Sequence, residues 1–253
     1  MTDIDDTLTT AGQLDPPAAA ALLRLAAAAV PVVAITGRPL GWSTDLLRDE
    51  PAAATLRAVV AENGAVALLP GAQGLVTEFA QDAPTREHNA RRLKHVLARI
   101  VAKVPGAAPA RDSPGRATDI AIDHSEFTQL PAAGIAQVVA VMQAEGMNAT
   151  VSSIHINGWF GTHDKFSAAA WMVRRLFNRP LEDELGAWVY VGDSTNDQAL
   201  FGHFPLSVGV ANVLDFSSQL QTWPAWITRG ERGQGFAEVA DAVLAARHAA
   251  GSR

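Results

Sequence analysis

Five short apolar runs, each closed by a glycine or a polar turn, constrain this chain more than any other feature: residues 32–36, 59–62, 65–69, 188–191 and 206–210. Each is too short for a helix, and several are rich in β-branched residues, so each reads as a buried strand. Longer segments of helical character lie among them. Asp15-Pro16-Pro17 opens an Ala/Leu run that Pro31 stops, as proline in a first helical turn and again past the end should. Residues 42–57, 165–177, 197–201 and 235–250 also read as helical. Strands alternating with helices predict an α/β fold with a parallel sheet and short crossovers.

The middle of the chain has a different rhythm. Residues 70–76 are glycine-rich and read as a loop. A long helix is expected over 85–104, a strand over 118–124, a helix over 131–146 and a strand over 149–156. That α, β, α, β order describes an inserted α+β unit over 71–158, with 1–70 and 159–253 forming the main body.

Bulk properties exclude several function classes. The net charge of −6 offers nothing to a phosphate backbone, so nucleic acid is not an expected partner. With no cysteine there is no disulfide, thiolate catalysis or thiolate-bound zinc. None of the seven histidines falls in a His-Glu-x-x-His pattern. No apolar stretch approaches the roughly 20 residues of a membrane span, and no basic-then-apolar leader is visible. The expectation is a cytoplasmic protein with no membrane partner and an open oligomeric state.

Four polar motifs sit at strand ends or helix starts. The first is Asp3-Ile4-Asp5-Asp6-Thr7-Leu8. Carboxylates two apart on a strand end share a face and repel, and a hard cation such as Mg²⁺ relieves that repulsion with oxygen ligands. An acidic tail or helix cap accounts for the hexapeptide equally well. The second is Thr36-Gly37-Arg38, where a hydroxyl and a glycine-exposed backbone N–H at a strand's carboxyl end suit an anion, although such turns are common. The third is Gly192-Asp193-Ser194-Thr195-Asn196-Asp197, either a helix cap or a second set of metal oxygens. The fourth is Lys165, an ordinary solvated lysine when taken alone.

Their order changes the balance. Acid pair, hydroxyl, amine and second acid pair, in that sequence and spanning nearly the whole chain, resemble the haloacid dehalogenase-like (HAD) hydrolase superfamily. The position of the insert after Glu62-Asn63-Gly64-Ala65 looks like the C2-capped, Cof-like branch, subfamily IIB. Residues 152–165 look more loosely like its sugar-phosphate phosphatases. The resemblance implies a Rossmann-like, doubly wound core with an α+β cap, and a Mg²⁺-dependent phosphatase of a small phosphorylated metabolite. It implies Asp3 as nucleophile and Asp5 as general acid and base. Mg²⁺ would be held by Asp3, the backbone carbonyl of Asp5 and Asp193. Thr36, Gly37, Lys165 and Asn196 would bind phosphate, with Asp6, Thr7, Arg38 and Asp197 in support. Arg116, Asp119, Ser153, His155 and Asn157 are the cap's substrate candidates, each accounted for as well by the polar face of a sheet. Trp42 and Trp159 read as core.

Two alternatives remain. A phosphomannomutase-like phosphosugar mutase would share the aspartyl phosphate, and a non-catalytic sugar-phosphate or metal-binding protein would share only the pocket. One departure from the family stands out: only Met1 and Thr2 precede Asp3 where the family has an apolar strand. The expectation is that the neighbouring strands lose ladder partners there, and that the native start lies upstream.

Overall fold

The computed structural model describes residues 1–251 of the chain. It opens with a small hairpin, β1 (Thr9–Thr10) and β2 (Gln13–Leu14), and helix α1 (Pro16–Ala27), whose inner face carries Ala18, Ala21, Leu22 and Leu25. Strand β3 (Val33–Ile35), helix α2 (Leu40–Asp49), strand β4 (Ala58–Ala61) and the hairpin β5 (Val66–Gly71) and β6 (Gly74–Phe79) follow. The inserted unit holds α3 (Ala83–Lys103), β7 (Ala108–Pro109), β8 (Asp119–Asp123), α4 (Ala132–Ala144), β9 (Asn148–Val151) and β10 (His155–Trp159). The chain returns through α5 (Lys165–Phe177), β11 (Val189–Gly192), α6 (Gln198–His203), β12 (Leu206–Gly209), β13 (Trp226–Ile227) and α7 (Arg232–Gly251). Among the described residues no helix is long and apolar enough to cross a membrane.

The large sheet is parallel through β4, β3, β11, β12 and β13, with β5 and β6 added antiparallel at one edge. Its two halves are joined by the residues before the acidic motif, because Thr2 bridges in parallel to both Ala34 and Val191. Thr2 N donates to Val33 O at 3.0 Å, and Ile35 N donates to Thr2 O at 2.9 Å. On the other side Val191 N donates to Met1 O at 3.0 Å and Asp3 N to Val191 O at 2.8 Å. The flanking strands therefore keep ladder partners beside the motif, contrary to the expectation from its shortness: two peptide units, bonded on both edges, suffice to close the gap at this level.

Side chains alternate across the sheet with the strand period of two. Ala34, Val59, Leu68 and Val191 face a core shared with α1, α2 and α7, while Val33, Ile35, Val60, Ala67 and Tyr190 face α5 and α6. Helices thus cover both faces, the doubly wound arrangement expected from the alternation of elements. In the insert, Ile120, Ile122 and Ile156 pack on α3 and α4. The alternate positions of the same strands, Asp119, Asp123, His155 and Asn157, are polar yet buried, because that face of the sheet does not meet water.

Three segments differ from the sequence expectation. The helix expected over 42–57 stops at Asp49, because Glu50, which precedes Pro51, is extended. Residues 70–76 form the turn of the β5–β6 hairpin, with Gly74 at φ +118°, and β6 belongs to the large sheet. The expected single strand over 149–156 is also a hairpin. Ser152 N donates to His155 O, and Ser152 Oγ accepts from the amides of Ile154 and His155, so a serine side chain builds a turn inside an unbroken alternating pattern.

The two units are fastened at Glu62, which is fully buried in a left-handed turn (φ 51°) with Asn63 (φ 55°). Its carboxylate accepts from Leu40 N at 3.1 Å in α2 and from Ala117 N at 2.9 Å and Thr118 N at 2.6 Å in the insert, and also from the Thr118 hydroxyl. Removing the acceptor strands several buried donors. The expected outcome for Glu62→Ala is a loss of about 3 kcal/mol in urea unfolding, with little change in slope.

Candidate active site

Asp3 ends the paired segment in the middle of the large sheet, and the chain then turns sharply. The amides of Thr7, Leu8 and Thr9 all donate to Ile4 O, which Asp6 permits by taking φ 51°. The turn leaves Asp3 buried and Asp5 with a side chain 13% exposed. Lys165 is the first residue of α5, fixed there by a capping box in which Asp164 accepts from Ser167 N and Ser167 Oγ accepts from Asp164 N. From that position the Lys165 ammonium reaches Asp3 Oδ1 and Asp197 Oδ1, both at 2.7 Å.

Gly192 ends β11, and the Asp197 carboxylate folds over it. A Cβ at Gly192 would lie 2.5 Å from Asp197 Oδ2, so only glycine fits. Asp197 accepts from Asp193 N at 2.9 Å, Ser194 N at 3.2 Å, Lys165 and the Tyr190 hydroxyl at 2.6 Å. Its oxygens are occupied by protein donors. Asp193 differs: Oδ2 meets only Asn212 Nδ2, at 3.5 Å, and the buried Oδ1 has no protein partner.

One carboxylate oxygen from each of Asp3, Asp193 and Asp197 can be chosen so that all lie within 4.8 Å of one another. Three buried acids share one ammonium. Burial pushes Asp3 up to about 8; the Lys165 charge opposes this, and Asp197 and Asp5 add to it. Burial and the charges of Asp3, Asp197 and Asp6 push Asp193 well above the ordinary carboxylate range. For Lys165 burial alone would lower the pKa, but Asp197 and Asp3 hold it up. A hard divalent cation fits this donor set: it would complete the orphaned Asp193 oxygen and restore the ionised carboxylates. Asp3 and Asp193 have oxygens to spare for it. The third expected ligand is the backbone carbonyl of Asp5, whose side chain is bonded to Arg38 instead.

The other motif residues converge on the same place. Thr36 follows β3, and its Oγ1 accepts from Arg38 N at 3.0 Å. Gly37 is wedged against the amides of Asn157 and Asn63, 3.2 and 3.3 Å from where a Cβ would sit. Its carbonyl accepts from Arg116 Nη1 at 3.0 Å and Asn157 Nδ2 at 3.3 Å. Asn196 Oδ1 accepts from Ser194 Oγ at 3.0 Å. Asp6 is tied to Arg232 Nε at 3.1 Å, and Thr7 Oγ1 is buried without a partner.

Arg38 joins the two units. Its Nε donates to Asp5 Oδ1 at 2.8 Å, and Nη2 donates to Glu126 Oε1 of the insert at 2.9 Å. His155 Nε2 lies 2.9 Å from the other Glu126 oxygen, and the guanidinium sits 5.0 Å over the Trp42 ring. The remaining insert candidates are bonded into the interface. Arg116 grips Asp119 at 2.9 Å and Asp112 at 3.2 Å, and Asn157 donates to Asp119 at 3.1 Å. Ser153 is the exception: its buried Oγ makes no well-formed hydrogen bond, although it lies beside Asp6, whose charged form it favours. Sequence reasoning missed Tyr190, Glu126, Asp112, Asn212 and Arg232. Tyr190, the chain's lone tyrosine, carried a usable signal as a hydroxyl inside a buried strand two residues before Gly192. The others carried none.

No protein-family model and no curated protein sequence matches the chain. Solved structures do. A protein from Thermoplasma acidophilum superposes with a TM-score of 0.71 at 14% identity, over 94% of each chain. A HAD/COF-like hydrolase from Plasmodium vivax gives 0.69 at 15%, over 96% of this chain and 94% of its own. The sucrose-phosphatase of Synechocystis sp. PCC6803, solved with sucrose and phosphate, gives 0.66 at 17% over 94% of each. The fold is that of the HAD/COF-like hydrolases: a Rossmann-like core carrying an α+β cap, as the motif order implied.

Two expectations follow. With a chelator present, Asp193→Asn should melt higher than the unsubstituted chain, because it removes a buried like charge; millimolar Mg²⁺ should raise the midpoint of the unsubstituted chain and reverse the order, read by scanning calorimetry. Glu126 supplies the second. Burial would raise its pKa, but the His155 hydrogen bond and the Arg38 charge hold it at about 2, below the ordinary 4.5. A depressed folded pKa contributes stability above pH 4.5 that is lost as pH falls toward 2. Thermal midpoints of the unsubstituted chain should therefore fall more steeply over that interval than those of Glu126→Gln.

Proposed function

We propose that the chain is a phosphomonoester hydrolase of the HAD subfamily IIB type, acting on a small phosphorylated metabolite, a sugar phosphate, through an aspartyl phosphate on Asp3. The supporting observation is the Lys165 ammonium 2.7 Å from Asp3 with the orphaned Asp193 oxygen in the same buried cluster. It is a constellation suited to a dianionic ester beside a divalent cation. Mg²⁺, held by Asp3 and Asp193, would supply charge neutralisation between carboxylate and phosphate.

Asp3 attacks phosphorus in line. The P–O ester bond breaks, and Asp5 gives its proton to the departing oxygen. Asp5, now a carboxylate, takes a proton from the water that attacks the aspartyl phosphate, which frees inorganic phosphate and Asp3. Thr36, the Gly37 N–H and Lys165 hold the phosphoryl oxygens as charge shifts among them. Arg38 fixes the direction of Asp5 by its 2.8 Å bond. The fold likeness to a sucrose-phosphatase favours a sugar ester.

The test is inorganic phosphate release from a panel of sugar phosphates with Mg²⁺. Asp3→Asn should lower the rate at least about a thousandfold, and Asp5→Asn by about a hundredfold or more. Undiminished turnover in Asp3→Asn would sink the proposal, and isomer formation without phosphate release would point to a mutase.

A further inference from the structure

Charge is distributed very unevenly along this chain. The 21 residues of α3 hold six lysines and arginines against one acid, Glu87. The rest of the chain holds 14 against 25, so a positive helix is mounted on an otherwise acidic molecule. His88, Arg91, Arg92 and His95 follow one another at i, i+3, i+4 and i+7, which puts them on one face of α3. All four are exposed, and together they line a concavity of about 330 Å³. Buried Val96 and Phe160 form its floor.

The basic groups of this concavity are largely uncommitted. Among the described residues the side chains of His88, Arg91 and His95 make no hydrogen bond or ion pair. Glu87, four residues before Arg91, does not pair with it and does not line the concavity. Glu145 is the one acid on the wall, and its carboxylate is taken by Arg99. Arg92 is held in place, its guanidinium 3.5 Å from the Phe160 ring centroid and its Nη2 donating to Glu145 O at 3.4 Å. A guanidinium fixed on a ring keeps its other N–H donors and loses little further freedom on binding. Like charges three and four apart on a helix repel, and an anion among them relieves that cost.

The concavity is separate from the acid cluster. Ile120, Ile122 and Ile156 of the cap sheet pack on α3 and α4, while Asn157 on the opposite face reaches Gly37. The cap sheet therefore stands between the two. Phe160 begins the linker back to the core, and its carbonyl accepts from Gln81 Nε2 of the outgoing linker at 2.8 Å. Gln81 Oε1 in turn accepts from Asn89 of α3 at 3.1 Å. The floor of the concavity thus rests on the crossing of both linkers.

The chemistry of the ligand follows from the donors and from the charge around them. A long polyanion would be repelled by the acidic remainder of the molecule, so the ligand is small. His88 and His95 stand about 10 Å apart along the helix axis. A carboxylate presents its acceptors in one plane, whereas a phosphoryl group accepts from several directions, and two in tandem reach donors from successive turns. We propose that this concavity binds a small anion with two linked phosphoryl groups, a diphosphate, with Arg91 and Arg92 as its main contacts. The site stands independently of the phosphatase reading.

The experiment is isothermal titration calorimetry with pyrophosphate, inorganic phosphate, citrate and a short DNA duplex, in about 0.15 M salt with a chelator and no Mg²⁺. Pyrophosphate should bind at least tenfold tighter than inorganic phosphate or citrate. Arg91→Gln should weaken it about tenfold or more, as the loss of a charge-assisted hydrogen bond does, and Arg91→Lys should weaken it less. Thermal midpoints of both variants without anion should match that of the unsubstituted chain, because Arg91 is exposed and unpaired. Pyrophosphate held at the Asp3 cluster would bind Arg91→Gln undiminished, and that result overturns the proposal. Absent binding, citrate of equal affinity, or tighter binding of the duplex overturns it as well.

Discussion

A single ammonium group organises the centre of this molecule. Lys165 is anchored at the start of α5, and its charge lies between Asp3 and Asp197 at 2.7 Å from each. Without it, three buried carboxylates would face one another in a low-dielectric interior, which no fold sustains with all three ionised. Even with it the balance is incomplete, as the raised pKa values of Asp3 and Asp193 show. The deficit is one of positive charge at a point where an Asp193 oxygen has nothing to bond to. Charge deficit and open coordination coincide, and that coincidence separates a site from an accidental cluster of acids.

The sheet makes the coincidence possible. Asp3 belongs to a segment bonded to β3 on one side and β11 on the other, so it lies beside both Thr36 and the Asp193–Asp197 turn, although those are far apart along the chain. Parallel strands all end on the same edge, and every motif residue follows a strand end or opens a helix there. The same edge meets the cap through Glu62, Gly37 and Arg38, which places the polar face of the cap sheet directly over it.

Much of this was legible in the sequence because it was local. Asp3, Thr36, Lys165 and Asp193 each sit beside a strand or helix signal, and their order along the chain supplied what no single motif did. The rest depended on long-range pairing. Arg38 and Glu126 are 88 residues apart, and nothing near Glu126 distinguishes it from a surface acid. The Ser152 turn was hidden because the alternating pattern runs through it unbroken, and the turn is made by a side chain rather than by glycine or proline. Residues 70–76 resembled a loop because a glycine-rich hairpin at a sheet edge has little apolar periodicity to show. The cap's polar residues were picked out by type, but type alone did not separate those bonded into the interface, such as Arg116 and Asp119, from those with an unspent hydrogen bond.

The Arg38 bridge carries a mechanical corollary. The same guanidinium grips Asp5 below and Glu126 above. Any separation of the two units would therefore break or drag the contact that orients the Asp5 carboxylate. On the mechanism proposed above, such linkage would act as an interlock: bulk solvent would gain entry only while the Asp5 carboxyl is out of register.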